Sequence, residues 1–90
     1  MVFEWDERKN EETRHVRGFD FSFAARIFEG LTLEREDNRR DYGEIRMRAI
    51  GMVEGRCLFV VYTWRGEVRH IISARDANKR ERDGYRTIYG

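Results

Sequence analysis

Two glycine-centred turns bracket an apolar run, and they limit the fold of this chain more than any other feature. Glu54-Gly55 and Arg65-Gly66 flank Cys57-Leu58-Phe59-Val60-Val61-Tyr62-Thr63-Trp64. Glycine supplies the positive φ that two-residue hairpin loops need. A strand apolar on both sides is a central strand, covered above and below. Before it, Ile45, Met47 and Ala49 alternate with Arg46 and Arg48; after it, Val68, His70 and Ile72 alternate with Arg69, Ile71 and Ser73. Residues 44–74 therefore predict an antiparallel meander of three strands. Pairing outward from the turns puts Arg48 opposite Val61 and Val61 opposite His70, with Arg46, Thr63 and Val68 in the adjacent row. Register decides which side chains share a face. One face is expected to carry Ile45, Met47, Ala49, Val60, Tyr62, Trp64 and Ile71. The other carries Ile50, Phe59 and Ile72 at one end and Arg46, Arg48, Thr63 and His70 at the other.

The rest of the chain supplies cover for that sheet. Val2-Phe3-Glu4-Trp5 alternates as a short first strand. Asp6 can cap a helix that runs to about Val16 and is polar over most of its surface, Asn10 included, with Gly18 ending it. Asp20, or Ser22 as the rival, caps a second helix whose apolar face is Phe21, Ala24, Ala25, Ile27 and Phe28, stopped by Gly30. Leu31-Thr32-Leu33 alternates into another strand that fades into a charged loop, 34–43. Ser73 leads into a highly charged C-terminal helix from about Arg75, with Ala77, Glu81, Gly84, Tyr85 and Ile88 inward. The expectation is one α+β domain over residues 1–90 in the order β-α-α-β-β-β-β-α. Two N-terminal helices cover one sheet face, and the C-terminal helix covers the apolar end of the other.

Composition narrows the chemistry. Net charge is only +1, but residues 1–44 hold 8 basic and 12 acidic groups, while residues 45–90 hold 10 basic and 5 acidic. A basic half attracts polyanions that the total charge would not. The single cysteine, Cys57, excludes an internal disulfide framework and fits a reducing, cytoplasmic location. No apolar run approaches the roughly 20 residues that span a bilayer, and no signal-peptide core opens the chain. There is no His-x-x-x-His, no cysteine pair, no acidic cluster at ligand spacing and no glycine-rich phosphate loop. No metal and no cofactor is expected.

What remains is chemistry done by Arg, His, Tyr and Lys. RNA cleavage suits that set, because the substrate's 2′-hydroxyl can attack phosphorus while the protein orients it, stabilises charge and moves protons. Arginine stays charged and grips phosphate oxygens bidentately. Each residue also has a plainer role. His70 between Val68 and Ile72 fits a structural histidine, and Arg46 and Arg48 fit ion-pair partners of the acidic loop. Tyr85 fits a helix-docking aromatic, and Arg75 at a strand-to-helix corner fits a donor to local carbonyls.

Several ordered strings resemble the BrnT family of toxins. These are Phe3-Glu4-Trp5-Asp6 with Lys9, then Phe21 with Ala24-Ala25-Arg26-Ile27-Phe28. Asp41-Tyr42-Gly43-Glu44 with Arg46 follows, then Gly51 and Gly55-Arg56. The most specific are Leu58-Phe59-Val60-Val61-Tyr62-Thr63 and Ile71-Ile72-Ser73-Ala74-Arg75 with Arg80-Glu81 and Tyr85. The resemblance implies a RelE-like fold and a metal-independent ribonuclease toxin that cleaves RNA and arrests translation and growth. It also implies a BrnA-type ribbon-helix-helix antitoxin, two toxins with two antitoxins, and a complex that represses its own promoter, so that DNA is reached only through the antitoxin. Family members often carry arginine where this chain has His70, which exchanges a permanent charge for a titratable one. The expected catalytic residues are Arg46, Arg48, His70 and Arg75, with Lys79, Arg80 and Tyr85 contacting RNA. The alternative is a non-catalytic basic module that binds a partner protein or nucleic acid.

Overall fold

A computed structural model describes residues 1–90. Five strands, β1 (Val2–Trp5), β2 (Thr32–Glu36), β3 (Met47–Val53), β4 (Arg56–Arg65) and β5 (Val68–Asp76), form one sheet in the order β1-β5-β4-β3-β2. Helices α1 (Glu7–Arg17), α2 (Phe21–Ala24, continued by a 3-10 turn over Ala25–Glu29) and α3 (Lys79–Tyr89) complete the expected β-α-α-β-β-β-β-α order. The meander β3-β4-β5 and β2 are antiparallel, and β1 joins β5 in parallel, so the sheet is mixed. No helix is long and apolar enough to cross a membrane.

The local signals act as their chemistry requires. The Asp6 side chain accepts from Arg8 N–H and caps α1, and Gly18 ends it in the left-handed conformation at φ 80°. Asp20, not Ser22, caps α2 through Phe23 N–H. Asn10, expected on the polar surface of α1, is instead buried. Its side-chain oxygen accepts from Phe21 N–H at 2.7 Å and its amide donates to Glu7 at 2.8 Å. The first of these bonds joins α1 to the start of α2, and the second stays within α1.

The core lies between the N-terminal helices and one sheet face. Phe21, Ile27, Leu58, Val60 and Ile71 are its largest fully buried side chains, and Phe3, Trp5 and Met47 pack at its margin. Ile45 and Trp64, expected on this face, are 66% and 49% exposed. The chain leaves the sheet before Met47, so Ile45 never reaches the core. α3 lies across the opposite face over β2 and β3, where Tyr85 is buried. Ile88, expected inward on α3, faces solvent.

Register departs from expectation in β5. Arg48 pairs with Val61 as predicted, but Val61 pairs with Ser73 and His70 pairs with Thr63. There are two causes. The second hairpin loop is Gly66-Glu67, closed by Arg65 opposite Val68, with positive φ at Gly66 alone. Such loops place glycine first, which moves the pairing by two residues and preserves faces. A bulge at Ile72 then adds a third, and a one-residue slip exchanges faces. His70, Ser73 and Arg75 consequently share the face of Arg48. β5 also continues to Asp76, so Arg75 belongs to a strand rather than to the expected helix start.

Candidate active site

The cationic face is assembled from four elements. In β2, Leu33 and Arg35 point the same way, and pairing sets Arg35 directly opposite Arg48 of β3. α3 adds Arg80 from above, and the three arginines line a cavity of about 540 Å³ floored by Leu33, Ile50 and Phe59. None of the three belongs to an ion pair. The Nε of Arg48 is buried without a hydrogen-bond partner. An N–H left in that state costs free energy, which an anion would recover once the Arg48 side chain turns to expose it.

Glu81, in the cavity wall, is held by an ion pair. The Arg75 guanidinium stacks 4.0 Å above the Phe59 ring and grips both oxygens of Glu81, at 2.8 and 2.9 Å. Glu81 also accepts from Asn78 N–H, completing the capping box that starts α3. Burial pushes the Glu81 carboxyl up, but the Arg75 hydrogen bonds, the Asn78 N–H and the charges of Arg75 and Arg39 together hold it below its usual range. Arg75 therefore anchors the helix that carries Arg80.

His70 lies toward the other side of the face. Arg48 and His70 are on strands two apart with β4 between them, and the register offsets them by two residues along β4, so their backbones are about 12 Å apart. Its neighbour in β1 is Glu4, whose Oε1 is 3.3 Å from Nδ1 without forming an aligned hydrogen bond. Arg65 approaches the same oxygen at 3.9 Å. His70 is largely covered, its side chain 18% exposed.

The loop 37–46 carries Arg46 and is more ordered than its charge suggests. Asp37 is buried and accepts from Arg39 Nε and Nη2 at 2.8 and 2.7 Å and from Tyr42 OH at 3.2 Å. The Arg39 hydrogen bonds hold its carboxyl far below the usual carboxylate range. Its backbone N–H donates to the Arg46 carbonyl, and Thr63 Oγ1 donates to the Ile45 carbonyl, both at 2.7 Å. Arg46 thereby lies 4.1 Å above the Tyr42 ring, with Glu44 at 3.2 Å.

The remaining expected contacts stand apart. Lys79 is exposed and pairs with Asp83 at 2.7 Å. Tyr85 donates its OH to the Leu31 carbonyl at 2.9 Å, and burial pushes its phenol up, so it docks α3 on β2. The structure thus brings Arg48 and Arg80 together, ties Arg75 to Glu81 of the cavity wall, sets His70 and Arg46 at the flanks, and leaves Lys79 and Tyr85 outside. Arg35 was missed because residues 34–43 read as a loop. The alternation of Leu33 with Arg35 was the signal that could have found it.

A one-sided arginine cavity is chemistry for a polyanion, and the comparisons agree in kind. The comparison with curated proteins gives no match. The model of the family described as "Ribonuclease toxin, BrnT, of type II toxin-antitoxin system" matches residues 5–81, which include Arg48, His70, Arg75 and Arg80. With most of its length matched, the chain belongs to the BrnT family of ribonuclease toxins of type II toxin–antitoxin systems.

Proposed function

We propose that this ribonuclease toxin cleaves RNA without a metal ion, by in-line attack of the substrate's own 2′-hydroxyl. The 2′-oxygen forms a bond to phosphorus as the bond to the 5′-oxygen breaks, leaving a 2′,3′-cyclic phosphate and a 5′-hydroxyl. The scissile phosphate would lie over β4 between Val61 and Thr63, with Arg48 on one side and His70 on the other. Arg48 stabilises the charge that develops on the phosphoryl oxygens. Arg46 approaches from the loop, and Arg75 positions Arg80 by fixing Glu81. His70 takes the proton from the 2′-hydroxyl, and the leaving 5′-oxygen, on the opposite side of phosphorus, takes a proton from water. Glu4 beside Nδ1 holds the other end of the imidazole. The observation that carries this reading is the buried, unpartnered Arg48 Nε among three unpaired arginines on one sheet face.

The decisive assay incubates purified protein with RNA in EDTA. Cleavage should persist and leave cyclic phosphate ends. Arg48→Ala should slow it about 10²- to 10³-fold, the usual effect of removing one charge-stabilising donor, and His70→Ala should slow it and alter its pH profile. Full activity in both variants, or activity that returns only with added magnesium, would refute the proposal. A second reading, binding by the basic face without catalysis, is favoured by the carboxylates already beside His70 and Arg75. The same assay separates the two, since only the first gives cleavage.

A toxin of this class implies a cognate antitoxin. A BrnA-type ribbon-helix-helix protein is proposed, two copies with two toxins, covering the basic face and repressing the shared promoter. An acidic segment reaching into the arginine cavity would neutralise by occupying the place of RNA.

A further inference from the structure

Arg35 and Arg48 face each other directly across β2 and β3, on the same side of the sheet and with no acid paired to either. Like charges in that relation destabilise a sheet. Several other arginines of the sheet and its loops do have acidic partners. Arg39 has Asp37, Arg56 has Asp76, Arg75 has Glu81 and Arg26 has Glu54. The one carboxylate in the cavity wall, Glu81, has both oxygens committed to Arg75. The Arg35–Arg48 repulsion is therefore left for a ligand to relieve. The cavity they share with Arg80, about 540 Å³, holds no histidine, and its only carboxylate is held in its charged form. It can grip an anion but has no free group to move a proton.

We propose that Arg35, Arg48 and Arg80 clamp a backbone phosphate of the RNA next to the scissile one, and that Arg35 is a substrate-positioning residue. This rests on the reading of the site as an RNA-cleaving one. Arg48 is shared between the two phosphates, since its fork carries donors on two edges. The clamp sets the register of the RNA strand, so that the following linkage falls over β4 between Val61 and Thr63, within reach of His70. An anion placed between Arg35 and Arg48 also removes the cost of their opposition, and the site is therefore tuned to be occupied.

The test uses Arg35→Gln and Arg35→Lys in the full chain. Binding is read by fluorescence anisotropy with a ten-nucleotide 2′-O-methyl RNA, which has no attacking hydroxyl, and turnover is read with the matching RNA. Arg35→Gln should bind about 5- to 10-fold more weakly at low salt. Its salt slope should be shallower by about 0.7, the value for one single-strand phosphate. KM should rise with kcat kept within about twofold, as expected for a contact made equally in ground and transition states. The melting temperature should equal or exceed that of the parent, and Arg35→Lys should recover most of the binding. Unchanged affinity and slope in Arg35→Gln, against a parent that binds, would overturn this inference alone. An equal fall in kcat and kcat/KM would also overturn it, by placing Arg35 on the scissile phosphate. A parent that neither binds nor cleaves the RNA would overturn the RNA-cleaving reading, and the clamp with it.

Discussion

Gly51 and Gly84 should respond to the same substitution with opposite signs. Neither has positive φ, so alanine meets no backbone strain at either position. At Gly51, in β3, a Cβ would lie 2.7 Å from Ile27 Cβ and 3.3 Å from Ile27 Cγ2 and Thr32 Cγ2. Carbon atoms pack best at about 3.5–4.0 Å, so the closest contact is short by about 1 Å. Ile27 Cβ is fixed to the 3-10 turn and cannot rotate away; the turn itself must lift from the sheet. Overpacking of this kind costs about 1–3 kcal/mol, offset by about 0.4–1 kcal/mol from the stiffer unfolded chain. The net loss is about 1–2 kcal/mol, or roughly 5–15 °C in Tm for a domain of this size. At Gly84, within α3, the only neighbour of a new Cβ is Leu33 Cδ2 at 4.0 Å, an ordinary contact. Gly84→Ala should stabilise by about 1 kcal/mol through helix propensity. Thermal and urea unfolding followed by circular dichroism would measure both. A Gly51→Ala protein as stable as the parent would show that the 3-10 turn yields freely, and would refute the close approach as the reason for glycine there.

Acid should weaken the fold. Asp37, Asp76 and Glu81 all have carboxyls held below their ordinary values, by Arg39, by Arg56, and for Glu81 by Arg75 and Asn78 against burial. Such groups stabilise fully above their unfolded pKa values, near 4, and the contribution is lost as pH falls through the folded values. The urea midpoint should therefore drop between about pH 5 and pH 2, and Asp37→Asn should flatten that slope by about one proton. An unchanged slope in Asp37→Asn would assign acid lability elsewhere. Antitoxin binding, if it uses the arginine cavity, should weaken steeply with salt. A toxin–antitoxin affinity equal at low and high salt would instead point to an apolar interface.

Local chemistry was legible in the sequence. The glycine turns, the two-sided apolar strand and the Asp6, Gly18 and Asp20 signals each act through neighbours in the chain, and each marks the element expected of it, although the second hairpin loop is Gly66-Glu67 rather than Arg65-Gly66. The arginine-bearing face follows from the same alternation, because residues two apart in a strand share a side. Contacts between distant segments were not legible. Asn10 is buried by α2 and Arg35 meets Arg48, because partners 11 and 13 residues away come to them, as the Phe21 bond and the β2–β3 register record. Glu4 reaches His70 only because β1 adds to β5 in parallel, a pairing that no turn encodes. The bulge at Ile72 matters most for the site. It carries no local signal, since Ile71 and Ile72 are ordinary strand residues, yet it turns Arg75 onto the face of Arg48. A period of two makes the side of every later residue depend on a single insertion. Sequence pattern could therefore determine that this chain builds a cationic sheet face, while the tertiary pairing decided which cations meet there.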